Sequence, residues 1–316
     1  MDIETLRIAG IPTPVSRVAL GTWAIGGWKW GGTEESDAIA TIQAAVDAGI
    51  NLIDTAPVYG FGRSEERVGK ALAGGRRQRA VIATKVCMNW DAGHKVFRDS
   101  RPARIRQEIE DSLRRLGTDY IDLYQVHWPD TTVAIEDTAA ELDKLRQAGK
   151  ILAIGVSNYS PAQMAAFRTA APLASVQPPY NLFERGGEAD VLPYAQDAGL
   201  AVLAYGPLCR GLLSGRISET TSFEGDDLRG YDPKFVMPRR LQYLAAVSAL
   251  DALARQRHGR GVLALAVRWV LDRGNTIALW GARRPAQLAP VGEAFGWSLS
   301  ADDMAEIEAI LARTVT

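Results

Sequence analysis

Short apolar runs alternate with stretches of helical periodicity along almost the whole chain. Val18-Ala-Leu20 is the first buried-strand run, and a glycine-rich stretch from Gly21 to Gly27 follows it. From Glu35, apolar residues recur at Ala38, Ile39, Ile42, Ala45 and Val46, a helical spacing that stops at Gly49. The same reading predicts further strands at 51–53, 81–84, 121–125, 152–156, 175–177, 201–204 and 276–279. Between and after them it predicts helices at 65–72, 102–116, 135–148, 161–168, 190–198, 239–257, 262–273, 285–295 and 301–312. Residues 6–8 and 14–18 flank a Gly-Ile-Pro-Thr turn and predict a short amino-terminal hairpin.

Eight short apolar strands, each followed by a helical segment, would be buried on both faces. That pattern predicts a (β/α)8 TIM barrel spanning residues 1–316 as a single domain, with the hairpin and additional helices as extras. The alternative is an open doubly wound sheet, whose dinucleotide fingerprint is missing: after Gly60-Phe-Gly62, its third glycine position is Glu65. No Walker A sequence occurs. Residues 214–238 show no periodicity, and their GDD, GYDP and MP clusters predict a functional loop or lid.

Composition narrows the classes. The chain has 316 residues, 47% hydrophobic and 23% charged, with a formal net charge of -1. Near-neutrality argues against nucleic acid or an anionic membrane as a partner. No apolar run is long enough to span a bilayer, and the acidic amino terminus lacks a signal core. Cys87 and Cys209 have no short spacing, so free thiols in a reducing cytoplasm are expected. His94, His127 and His258 form no spaced cluster with cysteine, which argues against zinc.

In a parallel barrel every strand carboxyl end opens on one face, where active sites gather. Asp54, Lys85 and His127 fall at three successive strand ends, and Tyr59 lies in the loop just past the first of these. Any one of them alone reads as a solvated loop residue. Together they form a proton-handling set. A free phenol has a pKa of about 10, and an adjacent lysine cation is expected to bring Tyr59 down toward working pH. Asp54 would fix Lys85, and a neutral His127 would orient a carbonyl oxygen. The set lacks an acyl nucleophile and a matched carboxylate pair, so it points to carbonyl reduction or its reverse.

The stretches LIDTAPVYGFGRSEERVGKAL, VIATK, DYIDLYQVHWPD, KILAIGVSNYSPAQM, VQPPYNLFER, AYGPLCRGLLSG and GARRPAQL together resemble the aldo-keto reductase superfamily. The match runs in order from Gly21 to about Leu299 and is most similar to the bacterial branch acting on sugars and small aldehydes. The resemblance implies a (β/α)8 barrel that binds NADP(H) or NAD(H) without a Rossmann fold. It places the catalytic tetrad on Asp54, Tyr59, Lys85 and His127, with Tyr59 as general acid/base. It also implies that Ser157, Asn158 and Gln177 hold the nicotinamide carboxamide and that Tyr205 stacks on its ring. Gly206, Pro207, Leu208, Arg210 and Gly211 would run beside the pyrophosphate; Gly21, Thr22, Trp23 and Asp54 would also contact the cofactor. The amides and arginines of the loop Gly281, Ala282, Arg283, Arg284 to Gln287 would grip an adenosine phosphate, which favours NADP(H) over NAD(H). One position departs from the pattern: Val291 stands where family members often carry asparagine, removing an amide from the adenine side.

Trp23, Trp28, Trp30, Trp90 and Trp128 all lie in loops after strands, whereas Trp269 and Trp297 read as core. With Tyr59 and His127, Trp23, Trp30, Trp90 and Trp128 are the expected substrate wall, suited to sugar rings and aromatic aldehydes alike. The charge pairs Glu65-Glu66 and Arg76-Arg77 read as solvated surface. The function expected is an NAD(P)-dependent aldo-keto reductase or aldose dehydrogenase, monomeric, acting on a small carbonyl or sugar. The alternative is a nicotinamide-binding regulatory or sensor protein with little turnover.

Overall fold

The structure, a computed structural model, describes residues 3–315. Eight parallel strands close into a barrel: β1 (Val18–Gly21), β2 (Leu52–Asp54), β3 (Val81–Val86), β4 (Ile121–Val126), β5 (Ile151–Ser157), β6 (Ser175–Gln177), β7 (Ala201–Tyr205) and β8 (Thr276–Gly281). Each strand pairs with its neighbours in chain order, and β8 closes the ring on β1. This is the TIM barrel that the alternation predicts. The amino-terminal hairpin is present as Thr5–Leu6 against Val15–Ser16.

Strand periodicity sorts the side chains into two cores. Ala19, Leu52, Val81, Ala83, Leu123, Ala153, Leu203, Ile277 and Leu279 fill the barrel interior, and Ile8, Ile11 and Val15 from the hairpin region close this cluster. Residues one step out of phase, such as Leu20, Ile53, Ile82, Tyr124, Ile154 and Val202, pack in the larger cluster with helix residues such as Ile42, Val68, Ile109 and Leu142. The inward phase, continued past each apolar residue, reaches Gly21, Asp54, Lys85, Gln125, Ser157, Gln177, Tyr205 and Gly281 at the carboxyl ends. Among the described residues no helix is long and apolar enough to cross a membrane.

Several helices begin and end on local chemistry. Pro102–Leu116 starts on a proline at its first position and stops at Gly117, whose φ of 63° is left-handed. Pro161–Arg168 begins with a capping box between Ser160 and Gln163.

Three local features depart from the sequence reading or add to it, and the long aperiodic loop is present as read. The glycine-rich stretch after β1 holds a single helical turn, Trp23–Gly26. After β3 a two-stranded hairpin, Met88–Trp90 with Val96–Arg98, rises from the barrel; its three-residue strands are too short to register as a periodic pattern. Residues Pro285–Ala294 form 3-10 turns rather than an α-helix, consistent with Pro290 inside the segment withholding an N–H. Residues 214–238 are tied down. Asp226 accepts the backbone N–H of Lys29 at 2.6 Å and of Gly31 at 3.0 Å, and the N–H of Leu228 donates to the Lys29 carbonyl at 3.1 Å.

The two charge pairs read as surface are corrected in part. Glu65 is fully buried, accepting from Arg115 Nε at 2.6 Å and Thr84 Oγ1 at 2.7 Å, while Glu66 is exposed. Arg77 pairs with buried Asp122 at 2.8 Å and stacks over Tyr120. Sequence neighbours on a helix or turn point to different surroundings, and a pair of like charges conceals that split.

Candidate active site

Asp54 ends β2, Lys85 lies near the end of β3, and His127 follows β4, so barrel closure gathers all three at one mouth. Lys85 is fully buried, and its Nζ reaches Asp54 Oδ1 at 2.6 Å, the Thr55 carbonyl at 3.0 Å and Tyr59 Oη at 3.2 Å. Three directed partners match the three donors of an ammonium. Asp54 Oδ2 accepts from Gln177 Nε2 at 2.9 Å and Gln125 Nε2 at 3.2 Å.

Tyr59 is brought to this point by a tight meeting of loops. Gly26 and Gly60 approach so closely that a Cβ on Gly26 would sit 2.5 Å from the Tyr59 carbonyl oxygen, and one on Gly60 would strike the Gly26 carbonyl. Gly60 also has a φ of +69°, which side-chain-bearing residues rarely adopt. The Tyr59 ring stacks on Trp23 (centroids 6.0 Å, 24°) and meets His127 edge-on at 5.7 Å.

The electrostatics depart from expectation at the tyrosine. Burial raises the Tyr59 pKa, the Lys85 cation pulls it down and the Asp54 charge raises it again; the net direction is upward. The expected fall toward working pH is therefore corrected: the lysine acts in the expected sense, but loss of water around the phenol outweighs it. Lys85 itself loses stability for its charge by burial, yet the facing Asp54 carries its pKa above the ordinary lysine value. Burial, reinforced by the Lys85 charge, drives His127 well below the usual imidazole range. The ring is thus neutral around neutrality, and its Nδ1 is buried without a hydrogen-bond partner.

Beside this cluster the residues expected at the nicotinamide end converge. Ser157 Oγ donates to the Gln177 carbonyl at 2.8 Å; Asn158 Nδ2 donates to the His127 carbonyl at 3.0 Å; Tyr205 Oη donates to Asn158 Oδ1 at 3.1 Å. Gln177 commits its amide nitrogen to Asp54 and to Gln125 Oε1. Gly21 is paired in register with Asp54 on one side and Gly281 on the other. The hydroxyl of Thr22 is taken up by the Asp54 carbonyl and Ser64.

The remaining cofactor candidates line the loops after β7 and β8. Gly206 accepts from Asn181 at 2.9 Å, Pro207 is buried, Leu208 packs on the core, and Gly211 turns the chain with a φ of 94°. Arg210 is held by Asp232 at 2.5 Å and Glu184 at 3.4 Å. A groove of about 500 Å³ is lined by Gly31, Gly32, Arg216, Arg283, Arg284 and Gln287, among others. The backbone amides of Arg283 and Arg284 are not free for an anion there, because Gln287 Oε1 accepts both, at 2.8 and 3.0 Å. Arg283 also donates to the Trp30 carbonyl at 2.8 Å, whereas the Arg284 side chain is exposed, 3.5 Å from Asp37. Ala282 and Val291 are buried in the core, so the substitution at Val291 places an apolar residue in an apolar setting.

Of the tryptophans, Trp23 and Trp30 meet edge-to-face at 5.6 Å, and the indole N–H of each is buried without a partner. Trp90 is further out, packed on Phe61 at 5.7 Å, and Trp128 lies under the Arg98 guanidinium. Trp28 joins Phe61 at 5.0 Å. Trp269 is fully buried, and Trp297 is partly buried against the core. Gln125 and Phe61 were not singled out in the sequence. A glutamine in the inward phase of the buried run ending at His127 was a readable signal; Phe61 carried none.

The donor set fits a dinucleotide with an anionic tail. An aromatic face and side-chain amides lie beside Tyr59, and a separate groove carries three arginines together with Glu34 and Asp37.

Residues 17–312 match the model of the Aldo/keto reductase family. The chain is 55% identical to the aldo-keto reductase YhdN of Bacillus subtilis (strain 168), over 99% of this chain and 95% of that one. It is 35% identical to the NADH-specific methylglyoxal reductase of Escherichia coli (strain K12), over 92% of each chain. Among solved structures, the glycerol dehydrogenase AKR11B4 from Gluconobacter oxydans superposes with a TM-score of 0.92 at 57% identity, covering 100% of this chain and 97% of that one. An aldo/keto reductase from Klebsiella pneumoniae in complex with NADP and acetate superposes at 0.76 with 29% identity, covering 98% and 95%. Fold, family match and identity over nearly the full length agree: this chain belongs to the aldo/keto reductase family.

Proposed function

We propose that the protein is an NAD(P)(H)-dependent oxidoreductase that interconverts carbonyl compounds (aldehydes, aldoses or ketones) and alcohols or lactones, with Tyr59 as general acid/base. The observation that carries this reading is the buried Lys85 Nζ bridging Asp54 Oδ1 and Tyr59 Oη. A bound nicotinamide supplies or accepts the hydride. Ser157, Asn158, Gln177 and Tyr205 would hold its ring, and the arginine groove would hold its far end.

The chain's own residues then handle one proton. In reduction, Tyr59 Oη gives its proton to the oxygen that gains charge as hydride reaches the carbonyl carbon. The phenolate left behind faces Lys85 Nζ, whose positive charge stabilises it. The upward shift at Tyr59 keeps the phenol protonated in the free protein, the form that reduction requires. Neutral His127 donates its ring N–H to the carbonyl oxygen without carrying charge.

A compact, oxygen-rich substrate such as a three-carbon hydroxy- or oxo-carbonyl suits the site best. The packed aromatic rings beside the phenol, Trp23 on Tyr59 and Trp30 against Trp23, support a compact one. The names of two relatives, a glycerol dehydrogenase and a methylglyoxal reductase, point the same way. Arg283, Arg284 and Arg216 in one groove favour NADP(H), although the Escherichia coli relative is named NADH-specific. The test is fluorescence titration with NADPH and NADH, then turnover of a carbonyl and aldose panel by the protein and its Tyr59→Phe variant. Tight cofactor binding with turnover that the variant loses is expected. Negligible turnover across the panel, or undiminished turnover in the variant, would sink the reading.

A further inference from the structure

We infer that Gln125 is a positioning residue: it fixes the Asp54 carboxylate and, through Asp54, holds Lys85 against Tyr59. The inference rests on the proposed role of Tyr59 and concerns a residue outside the four at the mouth. Gln125 is fully buried on β4, in register with Lys85 of β3 and Gly155 of β5. Its Nε2 donates to Asp54 Oδ2 at 3.2 Å, and its Oε1 accepts from Gln177 Nε2 at 3.2 Å. Both ends of the amide are therefore used, which sets its orientation. The barrel makes room for it: a Cβ on Gly155 would lie 2.9 Å from Gln125 Cγ and 2.4 Å from Ser175 Oγ. A glutamine deep in a parallel barrel has no apolar packing advantage, and leaving its amide unpaired would be costly.

The consequence lies at Asp54. One carboxylate oxygen holds Lys85 and the other is anchored by two amides, so the carboxylate plane has a single arrangement. Without the Gln125 donor, Asp54 is left with one amide anchor and is free to rotate, and Lys85 follows its counter-charge away from the phenol. The charged and titratable groups facing Gln125 are Asp54 on β2, Lys85 on β3 and His127 beyond its own strand. The flanking residues on β5 and β6 are Gly155, Ser157, Ser175 and Gln177, none of which titrates in the working range.

Two variants test this. Gln125→Met keeps the volume and removes the donor. It is expected to lower kcat about tenfold, leave the substrate KM and NADPH affinity within about threefold, and move the Tyr59 limb of the alcohol-oxidation pH profile up by about one unit, because the lysine no longer lowers that pKa as strongly. Gln125→Glu is an isostere of the native residue when protonated. Burial beside Asp54 raises the pKa of the introduced carboxyl, so turnover and melting temperature should match wild type on the acid side and fall away as pH rises. A Gln125→Met enzyme with wild-type kcat and profile would overturn the inference. So would a Gln125→Glu melting difference that is flat with pH, or a loss in both variants shared equally by kcat and KM without pH dependence. If the wild-type protein turns over no carbonyl, the functional reading fails by itself, and the melting series still decides whether Gln125 anchors Asp54.

Discussion

Lys85 and Asp54 form an ion pair at 2.6 Å with both side chains almost wholly withdrawn from water, 0% and 3% exposed. Removing one member of such a pair leaves an uncompensated buried charge, and breaking buried pairs costs about 3–5 kcal/mol. This pair also points its cation at Tyr59 Oη, so its disruption has a chemical readout as well as a structural one.

The first prediction concerns that readout. In Lys85→Met the neighbouring cation that lowers the Tyr59 pKa is gone, while burial and Asp54 still raise it. The limb of the oxidation profile that reports phenol ionisation should shift to higher pH, and kcat should drop by roughly a hundredfold or more. A profile unchanged in position would show that Lys85 does not tune the tyrosine.

A second prediction concerns how Tyr59 is placed. Gly26→Ala would put a methyl 2.5 Å from the Tyr59 carbonyl oxygen, backbone against backbone, where no flexible side chain can yield. The loops after β1 and β2 must separate, at a cost of about 1–3 kcal/mol. Thermal melting should fall accordingly, and kcat should fall more than cofactor affinity. Wild-type values for both would show that the close approach is not needed.

The long segment 214–238 offers a third test. Asp226 clasps the loop after β1 by two backbone N–H groups, at 2.6 and 3.0 Å. Asp226→Ala should free that segment locally, so limited proteolysis within it should quicken several-fold while the melting temperature of the barrel stays nearly constant. Unchanged cleavage would mean that the segment is held by Arg229 on Trp30 and Arg240 on the 218–221 carbonyls instead.

Glu108 supplies a prediction about stability and pH. It is buried on helix Pro102–Leu116, where it accepts from the Cys87 N–H at 3.2 Å and Asn89 Nδ2 at 3.0 Å. Burial, opposed only in part by Asn89 and Arg104, pushes its pKa up to about 7. A folded value above the unfolded one means that the protonated form is preferred in the fold. Stability from this group is full below the unfolded pKa and is lost as pH rises from about 4.5 through about 7, a change of about 3 kcal/mol. In Glu108→Gln that slope should flatten. Parallel melting curves for variant and wild type across this window would refute the assignment.

Much of the architecture was legible because it rests on local pattern. The short apolar runs and 3.6-residue periods announced eight strand–helix units, and strands buried on both faces must close or be covered. Asp54, Lys85 and His127 could be placed at one mouth because parallel connection puts every carboxyl end on the same side. The hairpin at Met88–Trp90 escaped because three-residue strands carry no period, and the buried Glu65 escaped because a charge looks the same in sequence whether or not Arg115 waits for it.

The sequence by itself determined the fold, the family resemblance and the kinds of groups at the strand ends, since these depend on residue order and spacing. Only the tertiary structure decided what those groups do to one another. Whether Tyr59 titrates down or up depends on the balance of lost water against a cation 3.2 Å away, and burial won. Whether Gln177 is free depends on Asp54 and Gln125 meeting it across the barrel, 123 and 52 residues away in the chain. Distances of a few ångströms between residues so far apart in the chain are set by side-chain packing inside the closed barrel, which no local pattern encodes.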